Sequence, residues 1–234
     1  MTALRPLLST TPLGFLAAET RAATGPVTFC DREEGLAEIR TPSSELVIWR
    51  RALPLCLTAW LERLDRSALN LRTLVQPRHF RDALATQLDD CGIAHDEMRA
   101  LLIADVERLV GAFSSITKSD LVDVRLQGLS NDACWRFHRD CVSARLLTTY
   151  FGPATQWVLP RNGEAALREQ TDYRGPLEQM DPNDVAIFKG SCAGAGSGIV
   201  HRSPPIAGSG QTRVLLCLNE RSAASPKPWI AAER

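Results

Sequence analysis

From Ser119 to the C-terminus the chain runs in short alternating or apolar segments cut by Gly, Pro, Asn and Asp. Leu121 to Leu126 (LVDVRL) alternates cleanly. Trp135 to Asp140, Ala144 to Phe151, Thr155 to Leu159, Val185 to Phe188, Gly198 to His201 and Arg213 to Leu218 follow, with a looser stretch around Glu164 to Gln170. Short strands with turn signals and no intervening helix restrict this half to an antiparallel sandwich or barrel.

The first half has a different texture. After an irregular start, Glu45 to Arg51 (ELVIWRR) reads as one strand and Leu71 to Val75 as a short one. Pro54 opens a helix to about Ser67, with Leu57, Trp60, Leu61 and Leu64 on one stripe. Pro77 starts a second helix that Cys91-Gly92 stops. Asp96 is placed to cap a third, from Glu97 to about Ile116. The length suits a single domain over 1–234. Within it, 1–118 is expected to be a mainly helical part buttressing the sheet, and 119–234 the β core. The boundary near Ile116 to Ser119 reads as a packing boundary, not a linker.

Bulk properties exclude several classes of function. Lys plus Arg and Asp plus Glu both number 27, so net charge gives no reason to expect nucleic acid or a membrane surface. No apolar run approaches a membrane span. Met1 to Ala23 is mildly apolar but interrupted by Ser9-Thr10-Thr11-Pro12, a poor secretory signal. The seven cysteines contain no CxxC pair. That suits reduced, mostly buried thiols in a cytoplasmic protein and argues against a zinc-finger site.

The chemistry-bearing residues are His138, Asp140 and His201. On a strand, His-x-Asp puts both side chains on one face, with Cα atoms about 6.6 Å apart. A second histidine from a neighbouring strand completes a facial triad with open positions, a set that favours ferrous iron. The dipeptide alone is weak evidence and better fits a surface strand with a salt-bridged pair. Cys134 shares the parity of His138 but lies roughly 13 Å along the strand, too far to join without a bulge. Cys141 has the opposite parity to Asp140, and both cysteines read as core thiols. Cys217 faces the interior if Arg213 does, and a thiolate there would favour zinc. Trp135, Trp157 and Phe188 read as sheet core, and His79 and His95 as surface residues.

Other motifs carry less. Ser191 to Gly198 (SCAGAGSG) lacks the GK[ST] ending of a phosphate loop and opens a strand, so it reads as a lip beside the site. No serine sits in a G-x-S-x-G elbow, which leaves no case for a serine triad.

Read together, FHRD, then DVAIFKG, GIVHRSPP and TRVLLCLN resemble the non-haem Fe(II), 2-oxoglutarate-dependent oxygenases. The block also resembles a bacterial family of unknown function. The resemblance covers the C-terminal half. It implies an α+β fold with a double-stranded β-helix (jelly-roll) core and N-terminal helices packed on its outer face. It further implies Fe(II) held by catalytic His138, Asp140 and His201, with 2-oxoglutarate as cosubstrate and Arg213 on its far carboxylate. Arg145 is a rival carboxylate anchor, and Tyr150 or Thr148 could hydrogen-bond the cosubstrate. Two other readings stand beside this one: a non-catalytic zinc-binding barrel in metal homeostasis, and a metal-free scaffold. The substrate is a small molecule or unknown, no nucleic acid or membrane partner is evident, and the helical half could cover the sheet, act as a lid or form a homodimer contact.

Overall fold

The computed structural model describes residues 25–194 and 196–231. The signal-sequence expectation for Met1 to Ala23 lies outside the described residues. In chain order the elements are β1 (Val27–Cys30), β2 (Leu46–Trp49), α1 (Leu55–Arg63), β3 (Asn70–Val75), α2 (Phe80–Asp90), α3 (Glu97–Thr117), β4 (Val122–Leu129) and β5 (Ala144–Phe151). Then follow β6 (Gln156–Trp157), α4 (Pro160–Glu169), β7 (Glu178–Gln179), β8 (Val185–Lys189), β9 (His201–Arg202) and β10 (Arg213–Glu220).

Seven strands form one sheet in the order β1-β2-β8-β5-β10-β4-β3. It is antiparallel except for the β1–β2 edge pair. β7, β6 and β9 make a second, three-stranded antiparallel sheet. The N-terminal half therefore does more than cover the sheet. Its β1 and β2 pave one edge and its β3 the other.

Period-two alternation divides the large sheet into two working faces. One face packs against the helices. Val214, Leu216 and Leu218 of β10 and Leu146 and Tyr150 of β5 join Leu57 and Leu61 of α1, Phe80 and Leu84 of α2, and Leu102, Val106, Leu109 and Phe113 of α3 in one core. The opposite face carries Leu46, Ile48, Leu147, Ala186 and Phe188, which pack with Trp157, Met180 and Ile199. The second sheet thus lies over the face that the helices leave free.

The long helix α3 is set where the sequence places it. Asp96 caps it, with Oδ1 accepting from the Arg99 N–H at 2.7 Å, while Oδ2 accepts from Trp60 Nε1 at 3.1 Å. Asp96→Ala is expected to cost about 1 kcal/mol of unfolding free energy, measured by urea denaturation. A change within error would mean that water satisfies these donors equally well.

Three sequence expectations need correction. The stretch after Leu159 is a helix, not part of a strand series. Pro160 fits a first helical turn, but Ala165, Ala166 and Leu167 are too few to make a visible apolar stripe. Trp135 to Asp140 forms no strand; only an isolated bridge joins His138 to His201. The chain is bent just upstream, where Cys134 has φ of 57° and Asn131 Oδ1 accepts from the Ala133 N–H at 3.1 Å. Trp135 is accordingly half-buried, and Phe137 takes the core position beside Val158, Ala166 and Val200. Finally, four of the seven cysteines are not core thiols: Cys56, Cys134, Cys141 and Cys192 are exposed, while Cys30, Cys91 and Cys217 are partly buried against the cores.

Candidate metal centre

His138 and His201 face each other across a two-residue antiparallel bridge. Each backbone N–H donates to the other's carbonyl, at 3.0 and 3.1 Å. Such reciprocal pairing directs both side chains to the same side, and the ring centroids lie 4.6 Å apart. β9 is itself held by β6 through the Trp157–His201 pair. Phe188 supports the His201 ring from the large sheet at 4.7 Å between centroids. Asp140 follows on the same side as His138. Its carbonyl accepts from the Ser191 N–H at 2.8 Å. Gly190 makes this approach feasible: a Cβ there would lie 2.1 Å from the Val142 carbonyl oxygen and 2.7 Å from that of Asp140.

The donor atoms converge. One ligating atom from each of His138, Asp140 and His201 lies within 4.8 Å of the other two. His138 Nε2 stands 3.5 Å from Asp140 Oδ1, and His201 Nε2 stands 3.3 Å from Oδ2. Both imidazoles are oriented from behind, His138 Nδ1 against the Arg136 carbonyl at 2.8 Å and His201 Nδ1 against the Ile199 carbonyl at 3.0 Å. A carbonyl can only accept, so Nδ1 carries the proton and Nε2 is free to present its lone pair. Asp140 Oδ2 is buried without a hydrogen-bond partner. Lone pairs that face a carboxylate across a gap need a cation between them, a proton or a metal.

The local electrostatics agree. Burial opposes the charged form of Asp140, yet the facing imidazoles and the Arg145 guanidinium hold its carboxyl far below the usual range. Burial also works against protonating His138, but Asp140 and the Arg136 carbonyl outweigh it and raise its pKa. The residues present therefore fit a divalent cation with two nitrogen donors and one oxygen donor. No cysteine or second carboxylate belongs to the cluster among the described residues. Burial pushes the Cys217 thiol up, which disfavours a thiolate ligand there.

Arg213 is buried, with 1% exposure, on the cleft-side parity of β10. Its Nη2 reaches only Thr149 Oγ1, at 3.4 Å, and its Nε has no partner. No carboxylate pairs with it among the described residues. Burial lowers its pKa to about 10, against a small opposing effect of Cys134. Arg145 is already engaged: Nη1 contacts Asp140 Oδ1, and Nε donates to Asn219 Oδ1 at 2.7 Å. It buttresses the cluster's carboxylate. Asn219 escaped the sequence reading, although its parity with Arg213 and Cys217 was a usable signal.

Tyr150 and Thr148 are corrected outright as cosubstrate contacts. They lie on the helical face of β5. The Tyr150 hydroxyl donates to Asp105 Oδ2 on α3 at 2.6 Å. Thr148 pairs with Leu216 and Val185, both in the helical core. Tyr150 and Thr148 both keep the parity of Leu146 within β5, opposite to that of Arg145, although the ladder with β10 shifts register between Val214 and Leu215.

His138 and His201 line a cleft of about 110 Å³ whose floor includes Arg125, Arg145, Leu147 and Leu215. A family described as "Protein of unknown function (DUF1826)" matches residues 30–219. This chain belongs to that family. The matched DUF1826 region contains the whole cluster together with Arg145 and Arg213. Among curated proteins, none matches this DUF1826 chain. Among solved structures, it is similar to the dioxygenase for auxin oxidation 1 of Arabidopsis thaliana in its 2-oxoglutarate complex. The identity is 11% and the TM-score 0.51, over 87% of this chain and 96% of that one. A Pseudomonas putida prolyl-4-hydroxylase matches over 81% of this chain and 99% of its own, at 11% identity and a TM-score of 0.41. The likeness to the Arabidopsis enzyme shows a shared fold. No described helix of this DUF1826 protein is long and apolar enough to cross a membrane.

Proposed function

We propose that this protein is an Fe(II)- and 2-oxoglutarate-dependent oxygenase, its two sheets forming a double-stranded β-helix core. The observation that carries this reading is the convergence of the His138 and His201 Nε2 atoms with the Asp140 carboxylate around one gap, with each imidazole fixed from behind. Three protein donors leave positions open for an organic acid and oxygen. A structural zinc site would close its fourth position, and the cluster offers no fourth side chain among the described residues.

The iron and 2-oxoglutarate, when bound, would activate oxygen, the oxidant, for attack on an unactivated C–H bond. The chain's own residues then have separable tasks. His138, Asp140 and His201 hold the metal. Arg145 orients Asp140 through its carboxylate contact and is itself steadied by Asn219. Arg213 offers a buried guanidinium fork for the far carboxylate of 2-oxoglutarate, in surroundings that strengthen the pairing. Phe188 and Trp157 keep the inner side of His201 dry. The seven unpaired cysteines support a cytoplasmic setting.

Anaerobic protein loaded with one Fe(II) per chain is expected to develop a weak visible charge-transfer band on adding 2-oxoglutarate. Admitting oxygen should then consume 2-oxoglutarate slowly and release succinate without any second substrate. Iron uptake with neither band nor turnover would overturn the proposal.

A further inference from the structure

We infer that the substrate of this cleft carries an anionic group, a carboxylate or a phosphate, which pairs with Arg125 on the cleft floor. This rests on the oxygenase reading for the word substrate, but the anion site itself does not. Arg125 belongs to β4, where it pairs with Cys217, and Cys217 pairs in turn with Leu147. Its side chain therefore rises from the same face as Arg145, into the cleft that His138 and His201 overlook.

Among the described residues, the cleft lining contains Arg125, Arg145 and Arg202 and no Asp or Glu. Two of these cations are committed. Arg145 is bound to Asp140 and Asn219. Arg202 donates to Gln156 Oε1 at 2.9 Å and lies over the Phe137 ring at 4.3 Å. Arg125 is the least committed: its Nε is buried and makes no hydrogen bond among the described residues. It keeps only a long ion pair, 3.8 Å from Asp123 Oδ1. Asp123 already accepts from Arg72 at 2.7 and 3.1 Å and from Ser225 Oγ at 2.8 Å. A buried N–H left unmade is costly, and a guanidinium fork is shaped for a planar or tetrahedral oxyanion. Leu129, Leu147 and Leu215 beside it would take an apolar body attached to that anion.

Arg125 and Arg213 thus have distinct roles, the first toward the substrate and the second toward the cosubstrate. The test is calorimetric titration of the metal-free protein with hexanoate, hexyl phosphate and, as the neutral control, hexanamide. Hexanoate or hexyl phosphate should bind at least tenfold more tightly than hexanamide, and the better of the two tells carboxylate from phosphate. Arg125→Gln should erase that preference. Arg125→Lys, which keeps the charge but not the fork, should retain part of it and serves as readout if the glutamine variant folds poorly. Equal binding of hexanamide, no binding of either anion, or an unchanged preference in Arg125→Gln would overturn the inference. In parallel, the charge-transfer band of the Fe(II) protein with 2-oxoglutarate should persist in Arg125→Gln. Its loss there, with retention in Arg213→Met, would show that Arg125 holds the cosubstrate and would equally overturn it. A wild-type protein that never forms the band sinks the oxygenase reading alone, since the calorimetry uses no iron.

Discussion

Asp140→Ala is expected to fold and to lose iron. Among the described residues, the carboxylate is the only anion in the cluster and pairs with both imidazoles. Without it, two neutral nitrogen donors remain and Arg145 points an uncompensated charge at them. Loss of even an outer contact to a metal ligand typically costs roughly 10–100-fold in affinity, so removing the ligand itself should exceed about 100-fold. Equilibrium dialysis against Fe(II) or Co(II) reads this directly, with circular dichroism to verify the fold. His138→Ala and His201→Ala should behave alike, and His138→Ala should also abolish turnover of 2-oxoglutarate. Wild-type metal affinity in Asp140→Ala would remove this carboxylate from the ligand set and undo the centre as drawn.

Arg213→Met should do two opposite things. A buried guanidinium with no anion partner is an electrostatic burden on the ligand-free fold, which is the sense of its lowered pKa. Methionine fills similar space without a charge, and replacing buried charge by apolar volume stabilises by about 1–4 kcal/mol in favourable cases. The ligand-free variant should therefore melt at a higher temperature than the parent. The same change removes the proposed fork for the far carboxylate of 2-oxoglutarate. Loss of a charge-assisted bidentate contact of this kind costs about 2–5 kcal/mol when its partner charge is left unpaired. The cosubstrate's apparent affinity, followed by the charge-transfer band, should fall by more than about 30-fold on that basis. A variant that is destabilised and still binds 2-oxoglutarate normally would show that Arg213 is a structural cation with a partner in the fold.

Much of this was legible in the chain. The Asp96 cap and the apolar stripe of α3 announce a helix because both signals are local. LVDVRL announces β4 because its alternation is strict. His-x-Asp and a distant histidine suggest a metal centre only together with the surrounding motifs, since the dipeptide alone also fits a salt-bridged pair. What was not legible depends on long-range pairing. The bridge between His138 and His201 replaces a full strand, and nothing near Trp135 reveals that the ladder stops after one pair. Tyr150 keeps the parity of Leu146 and Thr148 and so shares their helical face; alternation within β5 separates it from Arg145 but does not tell which of the two faces meets the helices. The exposed cysteines were read inward because a small thiol has no local signature of which side it faces. That Arg125 keeps only a long ion pair also lay beyond sequence, since it follows from Asp123 being hydrogen-bonded by Arg72 and Ser225.

The two-faced character of β10 has an evolutionary corollary. Its residues Val214, Leu216 and Leu218 anchor the helical layer, while Arg213, Leu215, Cys217 and Asn219 look the other way. Ligand preference can therefore drift along one ribbon without eroding the foundation beneath it. Durability and selectivity, written in alternate letters of the same eight-residue word, are free to change at different speeds.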